Sequence, residues 1–101
     1  MVPLGGLQPF FDLKAFSMSH FVYILYSASK DRYYVGSTSD VENRLTRHNS
    51  GATPSTKAGR PWEVLYMEEH RSKKDALKRE NQIKRMKSRV YLEQLIGSSD
   101  G

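Results

Sequence analysis

The chain has 101 residues, 38% of them hydrophobic, and a net charge of +5 from 16 basic and 11 acidic side chains. That length allows one domain with one compact core. The chain has no cysteine, which excludes disulfides and thiolate metal sites. No apolar run approaches the roughly 20 residues needed to span a bilayer, so we expect a cytoplasmic protein without membrane contact. The basic surplus fits a polyanionic partner such as nucleic acid, and a merely soluble basic surface fits the charge equally well.

The first residues differ in composition from the rest. Residues 1–17 contain two prolines and two adjacent glycines and show no helical or strand period. They lack the basic region and continuous apolar core of a signal peptide. We therefore expect Met18 to be a natural start and residues 1–17 to be a disordered upstream extension. The domain is expected over residues 18–96, followed by a flexible tail over 97–101.

Two strands are predicted first. Residues 21–26 and 32–37 are rich in β-branched and aromatic side chains, and a turn-forming segment separates them, which predicts an antiparallel hairpin. Tyrosines in strands are more often packing residues than catalytic ones. Tyr23 and Tyr34 nevertheless belong to adjacent strands, and we expect them to pair opposite each other. Gly36 lies beside them, where a missing side chain would open space for a ligand.

A short helix is predicted after the hairpin. Ser39 and Glu42 match a capping box that would begin a helix ending near His48. Arg44 follows Asp40 by four residues, so a surface ion pair is one interpretation. The other is that Arg44 reaches toward the sheet, where its planar guanidinium would suit a phosphate. His48 is compatible with the helix dipole alone.

The remaining elements are a loop, a strand and two helices. Residues 50–61 contain two glycines and two prolines and are predicted as a loop. Residues 62–68 are predicted as a third strand, 72–87 as a helix with Ser72 as N-cap, and 88–96 as a last helix. The order β-β-α-β-α-α is typical of an α+β fold with one small sheet packed by helices.

Glu80 interrupts the apolar stripe of the longer helix. The apolar residues of that stripe are Ala76, Leu77, Ile83 and Met86. A carboxylate in an apolar setting needs a partner, because uncompensated charge is costly there. One partner is Lys84, in an i,i+4 pair worth about 0.2–0.5 kcal/mol. The other is a divalent cation, because Mg²⁺ prefers hard oxygen ligands.

Basic residues concentrate in the last third of the chain. Residues 71–89 include nine basic side chains against two acidic ones. We interpret this segment as a surface for the phosphate backbone of nucleic acid, with a solvated face as the alternative. The predicted nucleic-acid contacts across the chain are Gly36, Arg47, Lys57, Arg60 and Lys84.

Together these residues resemble the GIY-YIG nuclease superfamily, in particular its small single-domain bacterial members, related to Slx1-like and UvrC N-terminal nuclease modules. The resemblance covers about residues 19–96. The first motif falls on Phe21-Val22-Tyr23 and the second on Tyr34-Val35-Gly36, with ten residues between the two tyrosines. The three further positions that match the family are Arg44, His48 and Glu80.

The resemblance implies a three-stranded antiparallel sheet flanked by helices and a nuclease that cleaves DNA, in repair or recombination, with a single Mg²⁺ or Mn²⁺ ion. It implies that Glu80 holds the ion and that Arg44 neutralises charge on the phosphate. Tyr23, with Tyr34 as partner or alternative, would deprotonate the attacking water. His48 would orient the water or the tyrosine, or assist proton transfer.

The chain departs from the family pattern at three places. Phe21 replaces the first-motif glycine, Ser37 replaces a lysine found in some members, and the region of Val90 offers no counterpart to an asparagine beyond the glutamate. A lone domain also lacks the modules that bring such nucleases to a target, so a protein partner that supplies specificity is expected. A non-catalytic nucleic-acid binder and an accessory protein with a partner-binding groove remain alternatives.

Overall fold

The computed structural model describes residues 19–98. The predictions for the extension 1–17, for Met18 and for residues 99–101 lie outside this range. The described part contains three strands and three α-helices in the predicted order β-β-α-β-α-α, which confirms the α+β class. Their bounds are β1 His20–Ser27, β2 Arg32–Thr38, α1 Val41–Ser50, β3 Trp62–His70, α2 Lys73–Met86 and α3 Arg89–Ser98. Within residues 19–98, every helix is too short or too polar to cross a membrane.

The sheet is antiparallel with strand order β2-β1-β3, so β1 is its central strand. The four residues from Val22 to Leu25 are each 1% exposed or less. Both faces of β1 are therefore covered, which explains why large side chains occur at successive positions rather than alternating with polar ones. The pairing with β3 shifts by one residue between Ile24 and Leu25, a β-bulge that leaves Leu65 as the extra residue.

The two faces of β1 belong to two separate cores. Val22 and Ile24 face α2 and α3. The buried members of that core are Val22, Ile24, Val35, Ala76 and Ile83. Tyr23 and Leu25 point to the opposite face, toward α1. The buried members of this second core are Tyr23, Leu25, Val41 and Trp62. Successive residues of β1 therefore pack against α2 on one face of the sheet and against α1 on the other.

The start of α1 differs from the prediction by one residue. Asp40 is the N-cap, with an extended backbone and a carboxylate that accepts the Asn43 amide at 3.0 Å. The Thr38 hydroxyl accepts the Asp40 amide at 3.1 Å and so orients the entry to the helix. The predicted capping box between Ser39 and Glu42 is wrong, because the adjacent aspartate is an equally good cap and is the residue that Thr38 positions.

The start of α2 is as predicted, and its apolar stripe is narrower. The Ser72 hydroxyl accepts the Asp75 amide at 3.1 Å. Leu77 and Met86, which were predicted to lie in the buried stripe, are 40% and 53% exposed. The small sheet is covered by a single line of α2 side chains, so apolar residues beside that line remain in solvent. α3 continues to Ser98, beyond its predicted end.

The predicted loop before β3 contains a 3-10 helix, Pro54–Gly59. Trp62 anchors it, because the indole Nε1 donates to the Thr56 carbonyl at 2.7 Å. The Asn49 side chain pairs with the Trp62 backbone in both directions, at 2.7 and 3.0 Å. A Cβ at Gly59 would lie 2.4 Å from the Trp62 ring, so glycine is needed for this close approach. The segment is therefore ordered by packing, and Thr56 is buried beneath it.

A polar network lies on the face of the sheet that packs against α2. Glu68 accepts hydrogen bonds from Tyr66 Oη at 2.6 Å and Arg79 Nε at 2.9 Å, and His70 Nε2 lies 2.7 Å from it. Burial by itself raises the pKa of Glu68, but the hydrogen bonds, chiefly that of Arg79, outweigh it and hold the pKa below its ordinary value. Arg79, one of the nine clustered basic residues, is thus committed to the sheet.

We expect Glu68→Gln to lower the free energy of unfolding by about 1–3 kcal/mol at neutral pH, because Arg79 loses its charged partner. The folded pKa lies below the ordinary value of 4.5. The stabilisation is therefore complete above that value and is lost as the pH falls through the folded pKa. Urea unfolding near neutral pH and in strong acid measures it. Glu63→Gln, at an exposed position of the same strand, is the matched control. A difference that persists unchanged in acid would contradict the prediction.

Candidate active site

Tyr23 lies directly opposite Gly36 in the β1–β2 pair. Its phenol crosses the Gly36 backbone, since a Cβ there would lie 2.6 Å from Oη and 2.7 Å from Cζ. The predicted pairing of Tyr23 with Tyr34 is wrong, because the register places Tyr34 opposite Leu25. Tyr34 is instead a diagonal neighbour, with ring centroids 6.3 Å apart. The space at Gly36 that was predicted to admit a ligand is occupied by the Tyr23 ring.

His48 lies at the end of α1, is 1% exposed, and has partners at both ring nitrogens. Nδ1 is 2.8 Å from the Thr56 hydroxyl, which itself donates to the Thr53 carbonyl at 3.3 Å. Because that hydroxyl has only one proton to give, it accepts the Nδ1–H. Nε2 therefore carries the lone pair, and it faces the Tyr23 hydroxyl at 3.3 Å. The contacts favour one tautomer, with a proton acceptor directed at the phenol.

Burial and charge keep both groups neutral near pH 7. Burial, assisted by the positive charges of Arg44 and Arg47, holds the pKa of His48 below its ordinary value. Burial and the neighbouring Tyr34 raise the pKa of Tyr23 to about 12, although Arg44 acts in the opposite direction. The imidazole is thus an available base, and the phenol keeps its proton.

Arg44 extends from α1 toward the sheet, as the second of the two interpretations predicted. Its positive charge acts to lower the pKa of Tyr23, so the guanidinium lies near the phenol. Arg44 is only partly exposed. The positive charge of the guanidinium therefore lies at the site and is only partly solvated.

Glu80 approaches the same edge of the sheet from α2. Its Oε1 accepts the Ser37 hydroxyl at 2.7 Å, and its Oε2 lies 2.6 Å from Lys84 Nζ. The carboxylate side chain is 13% exposed. The predicted i,i+4 pair with Lys84 is present. The carboxylate is also close enough to Tyr23 that its charge raises the pKa of the phenol. Glu80 therefore forms the ion pair with Lys84 and belongs to the site at the same time.

The five residues predicted to be catalytic come together at the β2 edge of the sheet. They come from four elements, with Tyr23 on β1, Tyr34 on β2, Arg44 and His48 on α1, and Glu80 on α2. Tyr34 packs edge-on against the His48 ring, with centroids 4.8 Å apart. Over residues 19–98, no group of three or more His, Asp or Glu side chains is arranged to hold a metal ion.

The predicted nucleic-acid contacts fall into two groups. Gly36 is buried, Lys84 pairs with Glu80, and Arg60 donates from Nε to the Lys57 carbonyl at 2.8 Å. The side chains of Arg47 and Lys57 are exposed beside α1 and the 3-10 helix. Arg60 and Lys84 are exposed as well, but their side chains are already engaged within the described residues, so Arg47 and Lys57 are the more readily available phosphate contacts.

Two residues of the site, Thr56 and Ser37, were not identified as site residues from the sequence. Thr56 orients His48, but a threonine in a segment rich in proline and glycine carries no local signal of burial. Ser37 was noted only as a departure from the family pattern, yet it donates to Glu80. Its position one residue after Gly36, on the face of β2 that points to α2, was the available signal.

The model of the GIY-YIG catalytic domain matches residues 19–92. The chain belongs to the GIY-YIG family. Among its relatives are UPF0213 proteins from Staphylococcus aureus strains Mu3 and Mu50, each 43% identical over 67 residues, which cover 65% of this chain and 80% of the relative. The solution NMR structure of the UPF0213 protein BH0048 from Bacillus halodurans is 34% identical, with a TM-score of 0.52 over 83% of this chain and 88% of that one.

These comparisons confirm both the resemblance drawn from the motifs and the expectation of a small single-domain GIY-YIG protein with a three-stranded antiparallel sheet. Membership in the GIY-YIG family supports a nuclease-type function in general. The relatives are named only as UPF0213 proteins, so their names specify neither a substrate nor a reaction.

We expect Gly36→Ala to destabilise the GIY-YIG domain by about 1–3 kcal/mol, because the new methyl group forces the rigid Tyr23 ring to move. Gly97→Ala is the matched control, since a Cβ there meets nothing within 4 Å. It should be neutral or stabilising by up to about 1 kcal/mol through helix propensity. Urea unfolding measures both, and equal effects of the two substitutions would show that Gly36 is not needed for close approach.

We expect the His48 imidazole to carry its proton on Nδ1 and to titrate below the ordinary value of 6.5. Two-bond ¹H–¹⁵N correlation spectra report both properties. Because the folded pKa is depressed, the unfolded chain alone gains the proton as the pH falls below that value, and stability decreases. His48→Gln should remove this slope, and Arg47→Gln should raise the pKa of His48. A proton on Nε2 would refute the tautomer assignment.

Proposed function

We propose that the chain is a metal-dependent endonuclease that hydrolyses phosphodiester bonds in DNA, in the setting of repair or recombination. The observation that carries the proposal is the contact between the Tyr23 hydroxyl and the His48 Nε2 at 3.3 Å. This contact is a potential proton relay. The guanidinium of Arg44 and the carboxylate of Glu80 lie beside it at the same edge of the sheet. Family membership supports the nuclease class, and the geometry supports the assignment of roles.

Glu80 suits a divalent cation. It offers hard oxygens, and Mg²⁺ in enzymes is commonly held by one or two carboxylates together with water and substrate phosphate. Lys84 shares the carboxylate, but its side chain is 48% exposed and can move into solvent when a cation takes its place. Mg²⁺ or Mn²⁺ bound there would supply positive charge that stabilises the leaving oxygen.

Tyr23 and His48 together form a path for the proton of the attacking water. A phenol with a pKa of about 12 is not ionised at neutral pH and cannot act as a preformed phenolate. In the relay, the water proton passes to Tyr23 Oη while the Tyr23 proton passes to His48 Nε2. The oxygen of the water forms a bond to phosphorus as the bond from phosphorus to the leaving sugar oxygen breaks, and that oxygen then takes a proton from solvent. Thr56 holds the Nδ1–H of His48 in place. We assign this role to Tyr23 rather than Tyr34 because Nε2 faces the Tyr23 hydroxyl.

Arg44 supplies the charge that this reaction requires. Negative charge grows on the phosphate oxygens in the transition state, and a guanidinium can donate two parallel hydrogen bonds to them. The same charge already acts on the Tyr23 hydroxyl, lowering its pKa. Arg44 therefore also reduces the free energy of any phenolate character that develops during the relay.

A non-catalytic nucleic-acid-binding domain is the second candidate. It is favoured by the contacts of Glu80, whose two oxygens are already satisfied by Ser37 and Lys84. In that case the basic surface would bind nucleic acid in a salt-dependent way. There would be no turnover, and Glu80→Gln would leave binding unchanged.

The decisive assay incubates the full chain with single-stranded, duplex and flapped DNA in the presence of Mg²⁺ or Mn²⁺, with EDTA as the blank. We expect cation-dependent cleavage that Tyr23→Phe, Arg44→Ala and Glu80→Gln each slow by about 10²-fold or more. Each variant removes a group that contacts the reacting atoms or the ion.

An exposed residue of β3 provides a matched control. Glu63→Gln repeats the loss of a carboxylate away from β2 and should retain the wild-type rate. Binding without cleavage by the wild type would favour the second candidate. Cleavage at equal rates by wild type and site variants would overturn the assigned site.

A further inference from the structure

A pocket of about 240 Å³ opens between the β1–β2 turn and the 3-10 helix, and we name it the hairpin pocket. Its lining combines basic and aromatic side chains with small residues of the 3-10 helix. The basic and aromatic members are Lys30, Arg32, Tyr33, Tyr34 and Trp62. None of these has a role in the proposed reaction, although Tyr34 packs against the His48 ring.

The hairpin pocket adjoins the catalytic residues through two shared side chains. Tyr34 lines it and packs against the His48 ring, and Thr56 lines it and contacts His48 Nδ1 at 2.8 Å. Tyr34 precedes Gly36 by two residues along β2, a distance of about 7 Å at the usual strand rise. Successive phosphates of one DNA strand lie about 3.4 Å apart along the helix axis, so this distance spans about two nucleotides. A nucleotide next to the cleaved bond is therefore within reach of the pocket.

The two basic side chains of the pocket are available for a ligand. Lys30 and Arg32 are exposed, and neither forms an ion pair with any residue in the described range 19–98. By contrast, Arg79, Lys84 and Arg89 are each paired with a carboxylate. Cations without a partner beside a concave site favour an anionic ligand, and a phosphodiester is such an anion.

The aromatic wall suits a planar group. The Tyr34 and Trp62 rings have centroids 6.3 Å apart and are inclined at 64°. Because Trp62 is 6% exposed and Tyr34 is half-buried, a planar ligand can stack on the Tyr34 ring and meet only an edge of Trp62. Stacking of a nucleobase on an aromatic side chain is worth about 1–3 kcal/mol. The volume lies below the roughly 300–1,000 Å³ of sites for drug-sized ligands. The pocket therefore suits one nucleotide better than a longer ligand.

We propose that the hairpin pocket holds one unpaired nucleotide of the DNA substrate, with its base against Tyr34 and Trp62 and its phosphate near Lys30 and Arg32. The proposal rests on the proposed function, because it assigns the position next to the cleaved phosphate. A base in a continuous duplex would first have to leave the stack, which costs a few kcal/mol. The pocket thus selects single-stranded or flapped segments over continuous duplex.

Trp62 provides a direct probe, because it is the only tryptophan in the chain and lines the pocket. The full chain is titrated in EDTA with a short single-stranded oligonucleotide and with the matching duplex, and Trp62 fluorescence is recorded. We expect the single strand to quench Trp62 and the duplex to leave its emission nearly unchanged. Ala58→Phe, which fills the pocket from its wall, should raise the Kd for the single strand about ten-fold.

The matched control for bulk is Ala52→Phe, an exposed residue outside the lining, which should leave the Kd unchanged. Lys30→Glu is a second variant, on an exposed turn where folding is not at risk, and should weaken single-strand binding more than Lys73→Glu. Circular dichroism verifies that each variant is folded.

The titration contains no divalent cation, so its outcome is independent of cleavage. Equal Kd values for Ala58→Phe and Ala52→Phe, or quenching by duplex as strong as that by single strand, would overturn the hairpin pocket even if the chain cuts DNA. Selective quenching that Ala58→Phe abolishes would support the pocket even in a chain that cuts nothing, and only the nuclease proposal would then fail.

Discussion

The passage of the Tyr23 phenol across Gly36 is the contact on which the site depends. Tyr23 belongs to the central strand and would normally be an inert core residue. Because its strand partner has no side chain, the ring extends over the backbone of β2 and its hydroxyl reaches the edge of the sheet. There it meets His48 from one layer of helices and the charge of Glu80 from the other. A methyl group at Gly36 would close this passage.

The burial of His48 shows how a structural requirement and a chemical one coincide. A buried imidazole needs partners at both nitrogens, because an unsatisfied polar atom in the interior is costly. Thr56 satisfies Nδ1 and Tyr23 satisfies Nε2. The same two contacts orient the acceptor toward the phenol, and burial keeps it unprotonated. Trp62 holds the 3-10 helix that carries Thr56, so the stability of this short segment also supports the orientation of His48.

Some charged side chains of the protein stabilise the fold, and others remain available to a ligand. Glu68 and Arg79 stabilise the face of the sheet away from α1, and Arg79 is unavailable to nucleic acid as a result. The pair of Glu80 and Lys84 is different, because the Lys84 side chain is about half exposed to solvent, and in the proposed reaction a divalent cation would take its place. A run of basic residues in the sequence therefore overstates the charge that a nucleic acid meets. The exposed cations nearest the site come instead from turns and from the end of α1.

The amino-acid sequence by itself determined the element order, the Ser72 cap and the identity of the five residues that meet at the site. The element order and the cap follow from periodicity and capping chemistry, which are local. The five site residues were identified through the resemblance of the two short motifs and three further positions to the GIY-YIG family. Only the tertiary structure decided that Tyr23 faces Gly36, that Thr56 orients His48 and that Ser37 supports the carboxylate of Glu80. Strand register and contacts between elements depend on how two cores pack against one sheet, and a one-residue difference in register changes every partner.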